Sequence, residues 1–159
     1  MKVVCFHNPN EENGYLSNWY MCNFNVNGID YSSMEQYMMY QKAVYFMDFN
    51  TAEKILEIHD VAEIKSLGRT VKNFNNDVWA GVRQIIVYNG LVEKFSQNQT
   101  LMRQLKCTDN SLIAECAVID KIWGIGLSMK DGDRFYPDRW RGNNLLGYAL
   151  MMCRDRDKC

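Results

Sequence analysis

SMEQYMMYQKAVYFMD, residues 33–48, is the most apolar long segment of the chain, and it nevertheless carries an acid, Glu35, and a base, Lys42, in its interior. Ser33 with Gln36 three positions on is a capping-box start, which predicts a helix beginning near Met34. On a wheel of about 100° per residue, Lys42 falls within about 20° of Glu35, with Met38, Met39 and Phe46 on the same side. Tyr37, Tyr40, Val44 and Tyr45 fill the opposite side, and a helix that is apolar nearly all round belongs in the interior. Burial of Glu and Lys is rare unless each is paired or used, because desolvation costs several kcal/mol per ion. Two readings stand. One is a structural ion pair, since helical side chains lean toward the amino end and Lys42 can approach Glu35 directly or through water. The other is a site whose acid and base are tuned by an apolar pocket.

On the amino side of this helix, Cys22, Phe24 and Val26 alternate with polar residues, Asn27-Gly28 supplies a type I′ turn, and Ile29 and Tyr31 resume the alternation. That pattern predicts a β-hairpin feeding the helix. Further upstream, VVCF at 3–6 has strand composition and the following HNPNEENG is a loop. On the carboxyl side, Asn50 with Glu53 and Asp60 with Glu63 repeat the capping pattern and predict two short helices, the second stopped by Gly68 as its C′ residue. Helical apolar spacing predicts a core helix over 77–95, with Gly90 as its weak point, and a short helix around Leu101, Met102 and Leu105. SLIAECAVI at 111–119 reads as a buried strand, and a last helix starts near Asn143 or Asn144, with Gly147 permitting tight packing. The expected fold is α+β and predominantly helical: one compact domain over residues 1–159, built on a buried central helix and a small β-hairpin or sheet.

The chain has 159 residues, 47% hydrophobic, with two prolines, a globular composition with no linker in it. A formal charge of −1 with interspersed signs gives no broad footprint for sequence-independent nucleic-acid binding, though a small local basic patch stays open. Six cysteines (Cys5, Cys22, Cys107, Cys116, Cys153, Cys159) occur without C-x-x-C pairs, and only His7 and His59 are there to join them. No zinc site is therefore expected. No apolar run reaches membrane-span length, and the start MKVVCFHN turns polar too soon for a signal peptide, so the expected home is a reducing cytoplasm with free thiols.

Outside the central helix, four stretches carry candidate chemistry. In YLSNW at 15–19, Asn18 and Trp19 either pack in the core or line a pocket for a planar ligand. Arg69, just past Gly68, either aims a guanidinium at a phosphate or answers helix-end carbonyls. In DKIWGIG at 120–126, two glycines follow Trp123, so backbone can approach a ligand beside a flat aromatic wall, although a lone G-x-G without a third glycine excludes a dinucleotide fingerprint. The amino end of the last helix, after WRGNN at 140–144, is a possible anion seat. Glu115 reads as a hydrogen-bonded strand-edge residue rather than a catalyst.

Taken together, YLSNWY at 15–20, the hairpin with SMEQYMMYQKA at 33–43, LGRTV at 67–71, SLIAECAVIDKIWGIG at 111–126 and WRGNNLLGYALMMCR at 140–154 resemble the NADAR family, also known as YbiA-like or DUF1768 proteins. Each motif alone is weak, but their order and spacing match across nearly the whole chain. The resemblance implies a YbiA-like fold and an N-glycosidase acting on ribosylated amines. Some members hydrolyse phosphoribosylamino-pyrimidine intermediates of riboflavin synthesis, and others remove ADP-ribose from the amino group of guanine in nucleic acid. It points to Glu35, Lys42 and Asp120 as catalytic residues and to Gly68, Arg69, Trp123, Gly124, Trp140, Gly142 and Asn144 in substrate binding. Where the family often has a His after the glutamate, this chain has Gln36.

The implied chemistry needs a proton for the leaving amine and stabilisation or capture of the sugar carbon C1′. Glu35, its pKa raised by apolar neighbours, suits the acid. Lys42 has two possible parts: an ammonium gripping phosphate or ribose, or a neutral amine forming a Schiff base with the opened sugar. Asp120 would orient water or ribose hydroxyls and Trp123 would stack on the base. The scheme calls for no metal or cofactor. De-ADP-ribosylation of guanine is the favoured activity, with riboflavin-type ribosylamines, or a non-catalytic ADP-ribose-binding module, as the alternatives.

Overall fold

The computed structural model describes residues 2–156; Cys159 lies outside them. In chain order the elements are β1 (Val3–Phe6), β2 (Met21–Val26), β3 (Ile29–Ser33), α1 (Met34–Tyr45), α2 (Phe49–Glu57), α3 (Val61–Gly68), α4 (Asn76–Gln97), α5 (Gln99–Lys106), β4 (Leu112–Glu115) and α6 (Leu145–Asp155), with three short 3₁₀ turns among them. The fold is α+β and predominantly helical, as the sequence implies. It comprises two compact units, one formed by the chain up to Tyr20 and from Asn98 onward, the other by Met21–Gln97.

In the Met21–Gln97 unit, β2 and β3 pair antiparallel with Val26 opposite Ile29. The two residues between them, Asn27 and Gly28, have φ of 52° and 85°, the positive pair that a type I′ turn requires. The strand β3 runs straight into α1. Ser33 accepts from the Gln36 amide through its hydroxyl at 3.1 Å, and Gln36 Oε1 answers by accepting from the Ser32 amide at 2.8 Å. This is a capping box whose return arm lands one residue early. Gln36 also reaches forward: its Nε2 donates to the carbonyls of Ile55 at 3.0 Å and Ile58 at 2.8 Å, which closes carbonyls left open at the end of α2. Gln36 thus ties α1 to α2. Around α1, Tyr31 of β3 stands edge-on to Tyr37 and Tyr40, with ring centroids 5.2 Å and 5.6 Å apart. Met34, Tyr37, Met38, Met39 and Ala43 are buried, so most of the apolar surface is covered as expected, but Tyr45 at the carboxyl end of the helix is exposed.

Two helix boundaries differ from the sequence reading. The second helix starts at Phe49, capped by Asp48 and not by Asn50. The Asp48 carboxylate accepts from the Thr51 amide at 3.3 Å, the Thr51 hydroxyl at 2.8 Å and the Lys72 amide at 2.9 Å. Gly68 is the last residue of α3 and not a left-handed residue beyond it. Its missing side chain serves packing, because a Cβ there would run into the Met39 sulfur.

The three donors have a titration consequence. The Lys72 amide first, then the Thr51 hydroxyl, hold the Asp48 carboxyl below its ordinary value of 3.8. A carboxylate with a depressed folded pKa contributes stability that is present in full above the unfolded value and lost as pH falls through the folded one. Thermal melts of wild type and Asp48→Asn should therefore differ by a constant amount above pH 3.8 and converge on further acidification. A gap that stays constant into strong acid would remove the charge from this junction.

In the other unit, β1 and β4 pair in parallel, in register from Val3 opposite Leu112 to Phe6 opposite Glu115. The strand expected over 111–119 is shorter than its apolar run. After Glu115 the chain turns, with the Ala117 amide bonding back to the Glu115 carbonyl at 3.1 Å, and Ile119 is 95% exposed. The helix α6 packs on β4 and α5, and its Leu146, Ala149, Leu150 and Cys153 are buried. Near its end the buried Arg154 donates to the Ser111 carbonyl at 2.8 Å and the Thr108 hydroxyl at 3.1 Å, fixing the approach to β4. Among the described residues, no helix is long and apolar enough to cross a membrane.

Candidate active site

Glu35 sits in the first turn of α1, 3% exposed, and Lys42 two turns on is 9% exposed. The Lys42 ammonium donates to the Gly68 carbonyl at 2.8 Å, so the end of α3 holds the tip of the lysine. Below it lies the Phe74 ring, its centroid 4.1 Å from Nζ, close enough for a cation–π contact. Phe74 in turn stands edge-on to Phe46, centroids 5.3 Å apart. Burial pushes the Lys42 pKa below its ordinary 10.5, the negative charge of Glu35 pulls the other way, and the positive charge of Arg69 adds to the lowering. Four of the residues singled out from sequence, Glu35, Lys42, Gly68 and Arg69, are thus brought together in one unit. Arg69 is exposed and free to meet an outside anion. Phe74 escaped the sequence reading, its only signal being a lone aromatic in the turn-rich KNFNN at 72–76.

The second group belongs to the unit of β1 and β4. Asp120 is spent on its own loop: its Oδ1 accepts from the amides of Ile122 at 3.1 Å and Trp123 at 2.9 Å, an Asx turn that presents Trp123 half-buried. From there the chain runs beside residues 141–146, with the Arg141 amide on the Ile125 carbonyl at 2.8 Å and the Asn144 amide on the Gly124 carbonyl at 3.1 Å. Gly142 is demanded by this close approach of backbone to backbone, and Gly124 by the approach of its loop to Glu115. A Cβ on Gly142 would enter the Gly124 carbonyl, and one on Gly124 would come within 2.8 Å of the Glu115 carbonyl. Gly142→Ala should therefore cost about 2 kcal/mol or more, a drop of about 4–8 °C in a thermal melt. A melt within a degree of wild type would mean that the two segments separate without cost.

Asn144 has a φ of 52° and is fully buried. Its Nδ2 donates to the Ile113 carbonyl at 2.8 Å and its Oδ1 accepts from the Glu115 amide at 3.1 Å, so its side chain joins the start of α6 to β4. The anion seat expected at that helix end is already filled by protein: the amides of Leu145 and Leu146 donate to the carbonyls of Ile122 and Trp123, both at 3.2 Å. Trp140, half-buried, donates through its indole N–H to the Arg134 carbonyl at 2.9 Å. Asn18 is 5% exposed, and its Oδ1 is a buried acceptor with no hydrogen-bond partner, a group that gains from a donor. Trp19 is half-buried next to it in sequence. Among the described residues, no three His, Cys, Asp or Glu side chains group so as to hold a metal ion.

The NADAR domain pattern matches residues 5–156, nearly the whole chain and both groups of residues. The chain belongs to the NADAR family. This NADAR protein is 41% identical to the N-glycosidase R617 of Acanthamoeba polyphaga mimivirus, over 99% of this chain and 97% of that protein. It is 33% identical to the riboflavin biosynthesis protein VVA0006 of Vibrio vulnificus, over 96% of this chain but 38% of that one. The solved NMR structure of the E. coli protein YbiA superposes with a TM-score of 0.80 at 25% identity, covering 98% of this chain and 84% of that one. A NADAR chain with these relatives is a hydrolase of the YbiA-like N-glycosidase class.

Proposed function

We propose that this N-glycosidase cleaves the C1′–N bond of a ribosylated amine and that its substrate is guanine carrying ADP-ribose on its amino group. The observation that carries the reading is the buried Lys42, its Nζ fixed on the Gly68 carbonyl at 2.8 Å and its pKa lowered by burial, on the same helix as the buried acid Glu35. A lysine held in that way offers a neutral amine at lower pH than a solvated one does, which suits Schiff-base chemistry.

In the proposed sequence Glu35 protonates the ribose ring oxygen, the ring opens, and C1′ is left as an iminium with the guanine amine. The Lys42 amine adds to C1′ and its nitrogen returns a proton to the Glu35 carboxylate. The guanine amine then leaves with a proton from Glu35, giving an imine between C1′ and Lys42. Water adds to that imine, released lysine is regenerated, and the sugar departs as free ADP-ribose. Arg69 answers the diphosphate.

The choice of ADP-ribosylated guanine rests on charge. A chain with a net charge of −1 has little to offer a long phosphate backbone, whereas the diphosphate of ADP-ribose travels with the base it modifies. The Vibrio relative's name favours the second reading, a phosphoribosylamino-pyrimidine. Release of unmodified oligonucleotide from ADP-ribosylated guanine, compared with hydrolysis of the pyrimidine at equal enzyme and two salt concentrations, separates them. Faster release from the oligonucleotide is expected, with weak dependence on salt. Cleavage of the pyrimidine alone would reverse the order, and tight ADP-ribose binding without turnover of either would make the chain a reader.

A further inference from the structure

Cys5 lies in β1 opposite Ala114 of β4. Side chains alternate across a strand, so Cys116, two residues past Ala114, falls on the same face as Cys5. The Cys116 amide is on the Phe6 carbonyl at 2.8 Å, which keeps the two backbones in contact at that point. Both thiols sit in one apolar cluster with Ile125 and Leu127, and each shifts the titration of the other. Both are free thiols.

The pair is not sealed. A cavity of about 770 Å³ in the same unit is lined by Cys5, Arg134, Arg103 and Tyr15. Arg134 is held in that lining by donation from Nη1 to the Asp131 carbonyl at 2.8 Å and by the Phe135 ring, 4.0 Å from its guanidinium. Its Nε is a buried donor with no hydrogen-bond partner. The neighbouring Cys116, and after it the charge of Arg134, draws the Cys5 thiol below its ordinary 9.0 against the effect of burial, while Cys5 first and burial second push Cys116 upward. One thiol readily ionised beside a cation and one kept protonated against it is the arrangement of an attacking and a resolving cysteine.

We infer that Cys5 and Cys116 form a peroxide-reactive dithiol site, entered from the cavity at Cys5. The Cys5 thiolate attacks one oxygen of hydrogen peroxide; the S–O bond forms, the O–O bond breaks, and hydroxide leaves as water after taking a proton from solvent. The Cys116 sulfur then attacks the Cys5 sulfenic acid; the S–S bond forms, the S–O bond breaks, and the hydroxyl departs as water with the Cys116 proton. Two thiols are oxidised to one disulfide while peroxide is reduced to two waters. The link lands one residue beyond Glu115, whose carbonyl holds the Ile125 amide at 2.8 Å, so the modification bears directly on the anchor of the glycine loop.

Peptide mapping of the full chain after hydrogen peroxide treatment, without reductant, tests the assignment apart from turnover and so apart from the reading of α1. The expected product joins the Cys5 and Cys116 peptides with loss of two hydrogens and is reversed by dithiothreitol. Cys116→Ser should stop at a sulfenic acid on Cys5 that dimedone captures, and Cys107→Ser should leave the disulfide unchanged. Oxidation confined to the exposed Cys107, a Cys5–Cys107 link, or an unmodified Cys5 in Cys116→Ser would overturn the proposal.

Discussion

Glu35→Gln should fold like the wild type and lose at least about a hundredfold in turnover, the usual scale for removal of a general acid. The substitution keeps the shape of a side chain that is 3% exposed, so packing around Met38 and Met39 survives, and only the proton is lost. Matched thermal melts with collapsed turnover of the ribosylated substrate are the expected pair of results. Turnover near wild type would remove Glu35 from the chemistry and leave it as the charge that tempers Lys42.

A larger loss, about a thousandfold or more, is expected for Lys42→Arg, because a guanidinium keeps the positive charge but has no amine to offer C1′. The pH profile gives a second, independent readout. With its folded pKa held below 10.5 by burial, Lys42 loses its proton earlier than a solvated lysine, so the wild-type profile should carry a limb that rises with pH as the free amine forms. The residual rate of Lys42→Arg should lack that limb. The sign for stability agrees: the unfolded chain binds the Lys42 proton more tightly, so between the lowered value and 10.5 stability gains from this group as pH rises. Retention of most activity in Lys42→Arg would make Lys42 a phosphate-binding or structural cation.

What the sequence made legible is mostly local. The Asn27-Gly28 turn and the Ser33 cap depend on residues within three positions of each other, and both are where the pattern puts them. The interior character of α1 followed from its lack of a polar face. The start of α2 was misread because Asn50 with Glu53 also fits a capping pattern, while Asp48 owes its strength to the Lys72 amide, distant in sequence. Likewise the apolar run through Val118 and Ile119 looks like strand, and only the turn at Ala117 ends β4. For the site, residue type and spacing found Glu35 and Lys42, but not Phe74 under the ammonium, a contact made by the fold. The glycines of 120–126 were read as letting backbone approach a ligand; Gly124 makes room for the Glu115 carbonyl at the end of β4, and Gly142 for the Gly124 carbonyl. The amino end of α6 was read as an open anion seat because nothing in WRGNN announces that the Ile122 and Trp123 carbonyls fill it.

The central claim, that the sugar is carried for a moment on Lys42, is tested most directly by borohydride added during turnover of ADP-ribosylated guanine, followed by mass mapping of the protein. Reduction of the imine should fix a stable ADP-ribosyl adduct on Lys42, in proportion to enzyme and absent from Glu35→Gln. Unimpeded release of guanine with no adduct, or an adduct on Lys65 or Lys72 instead, would contradict it.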